Sequence, residues 1–143
     1  MKRGYVYKCF QLYFLMDIKE LLERKLKNKF MKDKETIAVL IFGSYARGEQ
    51  YRDIDVCIVL NKKMDNLKMS KKRVGFMIGL PDIVDLQIFQ QLPVYIRKRV
   101  LKDGKVIFCK DEDRLYEIAF ETIKEFDSYE KLYNMYLEGI KNG

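Results

Sequence analysis

The spacing of apolar residues divides this chain into helices and strands. Ile18, Leu21, Leu22, Leu26 and Phe30 share one face of a helix over residues 18–30, with Asp17 placed to cap it. TIAVLIF, 36–42, shows no alternation. A continuous β-branched run of this kind is a central strand covered on both faces. DIDVCIVL, 53–60, reads as a second strand, NKKMDN as a turn, and residues 67–79 as a helix. Pro81 precedes a third strand, DIVDLQIF, 82–89; Pro93 opens another helix, Gly104 closes it, and KVIFC, 105–109, is a short strand. From about residue 112 to 140 runs a long helical pattern, with Asp127-Ser128 as a break; Tyr129, Tyr133 and Tyr136 serve either a partner or the core, the core being the plainer reading.

Strands separated by helices predict an α/β (α+β) fold, a small mixed sheet flanked by helices with a long C-terminal helix. Residues 17–143 read as one domain, and residues 1–16 as a candidate N-terminal extension, translation then starting at Met16.

Composition narrows the chemistry. The chain of 143 residues carries 28 Lys+Arg against 21 Asp+Glu, a net charge of +7, which favours an anionic partner or simply a lysine-rich surface. No dense basic block is interleaved with aromatics, so a nucleic-acid groove is not indicated. Cys9, Cys57 and Cys109 are far apart and odd in number, which suits a reduced, cytoplasmic setting better than a disulfide framework. No stretch is apolar enough to span a membrane. Histidine is absent altogether, which removes Ser-His-Asp and Cys-His nucleophile systems and every His-ligated metal site. Any chemistry must use carboxylates, hydroxyls, Lys, Arg or a metal held by oxygen.

FGSYARGEQYRDIDVCIVL, 42–60, is where such chemistry concentrates. Asp53 and Asp55 project from the same side of their strand. Two carboxylates about 4 Å apart repel by roughly 4 kcal/mol at an effective dielectric near 20, and a divalent cation reverses that sign. An isolated Asp-x-Asp is more often a turn cap beside a solvated residue. Here it follows Gly43, whose missing side chain admits close backbone approach, and Ser44, read as the N-cap of a short turn with free N–H groups for phosphate oxygens. Arg47 lies one turn on. A phosphate grip and a metal grip so close together describe a site for a metal-bound nucleoside triphosphate. Asp85, mid-strand in IVDLQIF, is the third acid; its cost there is several kcal/mol unless paired or metal-bound, a lysine salt bridge being the plainer alternative. By parity it shares a face with Gln87, and Asp82 does not.

GSYARG followed by DID, then a lone Asp on a later strand, resembles the nucleotidyltransferase superfamily of the DNA polymerase beta type. VDLQIF, YIRKRVLKDGKVIF and the Tyr-rich last helix resemble, within it, the minimal nucleotidyltransferases, the MntA-like antitoxins of HEPN–MNT toxin–antitoxin pairs. The resemblance implies that Gly43 and Ser44, with Arg47 at a matching motif position, bind the nucleotide. It implies that Asp53, Asp55 and Asp85 hold two Mg2+ ions (or Mn2+), and that Asp85 helps deprotonate the acceptor. ATP would be the substrate, and the acceptor a tyrosine hydroxyl of a partner HEPN toxin. GEQYRD is shorter than the matching connection in many members, with Arg52 where serine is usual. A non-catalytic antitoxin that covers its partner and a small-molecule nucleotidyltransferase are the alternative readings.

Overall fold

The computed structural model describes residue 20 and residues 22–143. The candidate extension 1–16, the Asp17 cap, Ile18, Leu21 and Cys9 lie outside the described residues. A helix α1 is described over 22–31. It is followed by β1 (Thr36–Phe42), α2 (Gly43–Ala46), β2 (Ile54–Leu60), α3 (Asn66–Met77), β3 (Val84–Ile88), α4 (Val94–Asp103), β4 (Lys105–Cys109) and α5 (Glu112–Asn142). The strands form one mixed sheet in the order β3-β2-β1-β4. β1 is antiparallel to both β2 and β4, whereas β3 lies parallel to β2 after the α3 crossover. The expected mixed α+β architecture is what the chain adopts.

The unbroken apolar runs follow from cover on both faces. On one face Ile54, Val56, Ile58 and Leu60 of β2 join Val39 and Ile41 of β1, and Leu22, Leu26, Phe30 and Met69 of α1 and α3 close over them. On the other face Ala38, Leu40, Cys57 and Val59 meet Val100 of α4 and Ile118 of α5. Burial raises the Cys57 thiol, which sits inert in that second layer.

Polar side chains fasten the joints. Asp33, in the turn between α1 and β1, accepts from Thr36 N and Oγ1 at 2.9 and 2.7 Å and from Lys72 Nζ of α3 at 2.7 Å. Burial alone would raise Asp33, but Lys72 and Thr36 outweigh it and hold the carboxyl below its ordinary range. Gln90, just past β3, receives Leu60 N at 3.1 Å and donates to Leu60 O at 2.7 Å, a side-chain amide continuing the strand ladder. Pro93 caps α4, and Gly104 N closes it on Val100 O at 2.8 Å.

Two expectations about α5 are corrected. Asp127-Ser128 does not interrupt it; the helix runs through 31 residues, with Ser128 Oγ turned back onto Lys124 O at 3.2 Å. Tyr129, Tyr133 and Tyr136 are 40, 49 and 65% exposed, not core: Tyr129 sits at the edge of the contact with Tyr95 of α4, and the helix runs on beyond it. No described helix is long and apolar enough to cross a membrane.

Phe30 is fully buried, edge-on to Phe76 with ring centroids 4.7 Å apart. Phe30→Ala is expected to cost about 3–5 kcal/mol and to lower the urea midpoint accordingly, read by circular dichroism.

Candidate active site

β1 ends at Phe42 in extended backbone, and the chain then turns through Gly43 at φ +76°, a left-handed conformation that a side chain would strain. The position is tight as well: a Cβ on Gly43 would lie 2.2 Å from Asp55 Oδ2. Glycine is therefore required twice over, by its dihedral and by the carboxylate packed on its backbone. The register explains the contact, since Phe42 is the cross-strand partner of Asp55 on β2. α2 is a single turn, carried on by Glu49 N to Ser44 O at 3.0 Å and ended at Gly48, φ +74°. Ser44 is not its N-cap: it is the second residue of the turn, and no side chain caps it.

Asp55 is in turn the register partner of Asp85 on the parallel strand β3, so the two carboxylates are neighbours on one face of the sheet. Asp53 precedes β2 by one residue and is exposed. Burial pushes the Asp55 carboxyl up, the charges of Asp85 and Asp53 push it further, and Arg47 pulls back. The charges of Asp85 and Asp53 therefore both reach Asp55. Among the described residues no three such side chains close into a ready metal cage. The donors nevertheless suit a hard cation in kind, since carboxylate oxygens are the ligands magnesium and manganese take.

Two arginines set the electrostatics. Arg47 is exposed and donates to Glu49 at 3.0 and 3.3 Å, with Asp103 of α4 at 3.9 Å, so it braces the loop after α2. Arg73 was invisible in the sequence, one more cation in the KKR run of α3. In the structure its Nε donates to Leu86 O at 2.6 Å and its Nη2 stands 3.7 Å from Asp85 Oδ1. Gln87 Nε2 reaches the same oxygen at 3.1 Å, as parity requires, while exposed Asp82 lies before the strand. The counter-ion of Asp85 is an arginine across the edge of the sheet, not the lysine of the plainer alternative.

The loop from Gly48 to Arg52 lines a shallow, open hollow of about 680 Å3 to which neither Gly43 nor any of the three acids contributes. Tyr51 is fixed edge-on to Tyr45 at 4.7 Å, which ties this short connection to α2.

Residues 24–113 match the family model for polymerase beta nucleotidyltransferases. MJ1547 of Methanocaldococcus jannaschii, named as a protein adenylyltransferase, is 33% identical over 99 residues, 68% of this chain and 75% of that protein. Among solved structures the chain resembles a toxin–antitoxin with AMP-PNP, at TM-score 0.65 and 21% identity over 82% of this chain and 97% of that one. It also resembles the complex of a tri-AMPylated Shewanella oneidensis HEPN toxin with an MNT antitoxin, at TM-score 0.64 and 18% identity over 85% and 97%.

The raised Asp55 carboxyl fixes the sign of a pH effect. Its folded value exceeds the unfolded one, so its contribution to stability is fully present below the unfolded pKa and is lost as pH rises through the folded value. Asp55→Asn is therefore expected to melt higher than wild type at pH 7 without metal, the gap narrowing towards pH 3 in thermal scans.

Proposed function

The chain belongs to the polymerase beta nucleotidyltransferase family, and from that premise we propose that it moves AMP from ATP onto a tyrosine hydroxyl of a partner HEPN toxin. The observation that carries this reading is the junction of Gly43 with Asp55, beside Asp85 in register. It sets a bare stretch of backbone against paired acids, the arrangement a polyphosphate bridged by cations calls for. The relatives support the protein acceptor: one is named as a protein adenylyltransferase, and fold neighbours include an AMP-PNP complex and an AMPylated toxin with its antitoxin.

In this proposal Gly43 and Ser44 hold the terminal phosphates, the glycine by close backbone approach and the serine by its hydroxyl. Asp53, Asp55 and Asp85 hold magnesium, which when bound supplies Lewis-acid charge to the reacting phosphates. Asp85 takes the acceptor proton. The tyrosine oxygen then bonds to the α-phosphorus, the bond to the bridging oxygen breaks, and pyrophosphate leaves. Position and charge do the rest, so the absence of histidine is no obstacle. Arg47, committed to Glu49 and Asp103, shapes the loop and adds positive charge from behind.

The arginine on Asp85 favours a second reading, a protein that silences its partner by covering it. Incubation of the chain with its partner, ATP and magnesium separates the two. An AMP-sized mass increase on the partner supports transfer; inhibition without mass change, and equally without ATP, supports covering.

Asp53→Asn and Asp55→Asn are each expected to lower AMP transfer by at least about a thousandfold with the fold intact, a loss of roughly 4 kcal/mol in transition-state stabilisation. Near-normal transfer by either would remove the metal assignment. Ser44→Ala is expected to weaken ATP binding by about ten- to a hundredfold in calorimetric titration, the worth of one hydrogen bond to a charged group.

A further inference from the structure

The acids of the site are held in different ways. Asp55 is packed against the backbone of Gly43. Asp85 sits on β3, an outer strand, with its side chain 43% exposed, and an aspartate carboxylate turns broadly about its last torsion unless something sets it. Two donors set it here. Gln87, two residues along on the same face, donates from Nε2 to Asp85 Oδ1 at 3.1 Å. Arg73 comes round the edge of the sheet from α3. Its Nε donates to Leu86 O at 2.6 Å, and Leu86 is wholly buried, so the guanidinium is anchored on the strand itself rather than on the acid. Its Nη2 then stands 3.7 Å from the same Oδ1. That separation is an ion pair beyond hydrogen-bond reach, so the arginine steers the carboxylate without consuming it. Among the described residues Asp85 Oδ2 has neither a hydrogen bond nor an ion pair.

We propose that Arg73 and Gln87 are positioning residues for Asp85: from the strand edge and from one pleat along, they hold Oδ1 so that Oδ2 is the oxygen offered to the cation and to the acceptor proton. Their role rests on the proposed transfer reaction, which it deepens. Each acts through Asp85. Gln87 fixes the torsion by a directed bond, and Arg73 adds the charge that keeps Oδ1 turned to the edge. Lysine is no substitute, because one ammonium on a flexible stem cannot grip a backbone carbonyl and flank a carboxylate in a single plane. Removing orienting partners of metal ligands costs about ten- to a hundredfold in metal affinity or activity.

Titration of the full chain with Mn2+ alone, without nucleotide, followed by electron paramagnetic resonance, tests this role apart from the reaction. Gln87→Leu changes no charge and is expected to weaken Mn2+ binding about tenfold with an unchanged circular dichroism spectrum. Arg73→Lys keeps the charge and is expected to weaken it by about as much, the two losses combining to less than their product because both bear on one oxygen. In AMP transfer to the partner with ATP and magnesium, each variant is expected to lower kcat about ten- to a hundredfold. KM for ATP is expected to stay within about twofold, since Gly43 and Ser44 hold the phosphates. Wild-type Mn2+ affinity in Gln87→Leu overturns the proposal, as do losses that simply multiply. Faster transfer by Arg73→Lys also overturns it, the arginine then masking Asp85. If the wild type transfers no AMP while the Mn2+ losses appear as expected, the transfer reading falls and the placing of Asp85 stands.

Discussion

The contact of the Asp55 carboxylate with the backbone of Gly43 is the constraint around which the candidate site is arranged. It exists because β1 and β2 pair antiparallel with Phe42 opposite Asp55, so the end of one strand delivers a turn against the start of the next. Any other residue at position 43 would press its first carbon into that carboxylate. β3 then lies parallel to β2 and brings Asp85 to the same row. Like charges are held together by ladder geometry, and burial first, with the neighbouring acids adding to it, raises the Asp55 carboxyl.

Two-sided cover makes that cost bearable. Ile54 and Val56 bracket Asp55 in the first core layer, and Cys57 anchors the opposite face one step along in the second. The same cover sets register, since sliding by one residue would exchange the acid row for buried aliphatics.

Much of this was legible in the sequence because it rests on local spacing. The absence of alternation in TIAVLIF announced a doubly covered strand, Gly43 beside a strand end announced a close approach, and parity put Asp85 with Gln87. What was not legible depends on where helices fall across the sheet. Arg73 looks like its neighbours Lys71 and Lys72 until the α3 crossover sets it on β3. Tyr133 and Tyr136 of α5 have the periodicity of core residues, and only the length of α4, whose Tyr95 reaches no further than Tyr129, leaves them exposed. Ser44 has the chemistry of an N-cap, but the left-handed glycine before it already begins the turn.

Arg73 has a consequence beyond the acid it faces. β3 is an outer strand, and such strands offer unpaired carbonyls on which another polypeptide can template itself. The guanidinium spends one of its protons on the Leu86 carbonyl, midway along five residues, and sets a bulky cation on that rim. One side chain thereby interrupts the rim as a landing place for foreign β-structure and stands guard against fibre-like growth from this flank of the molecule.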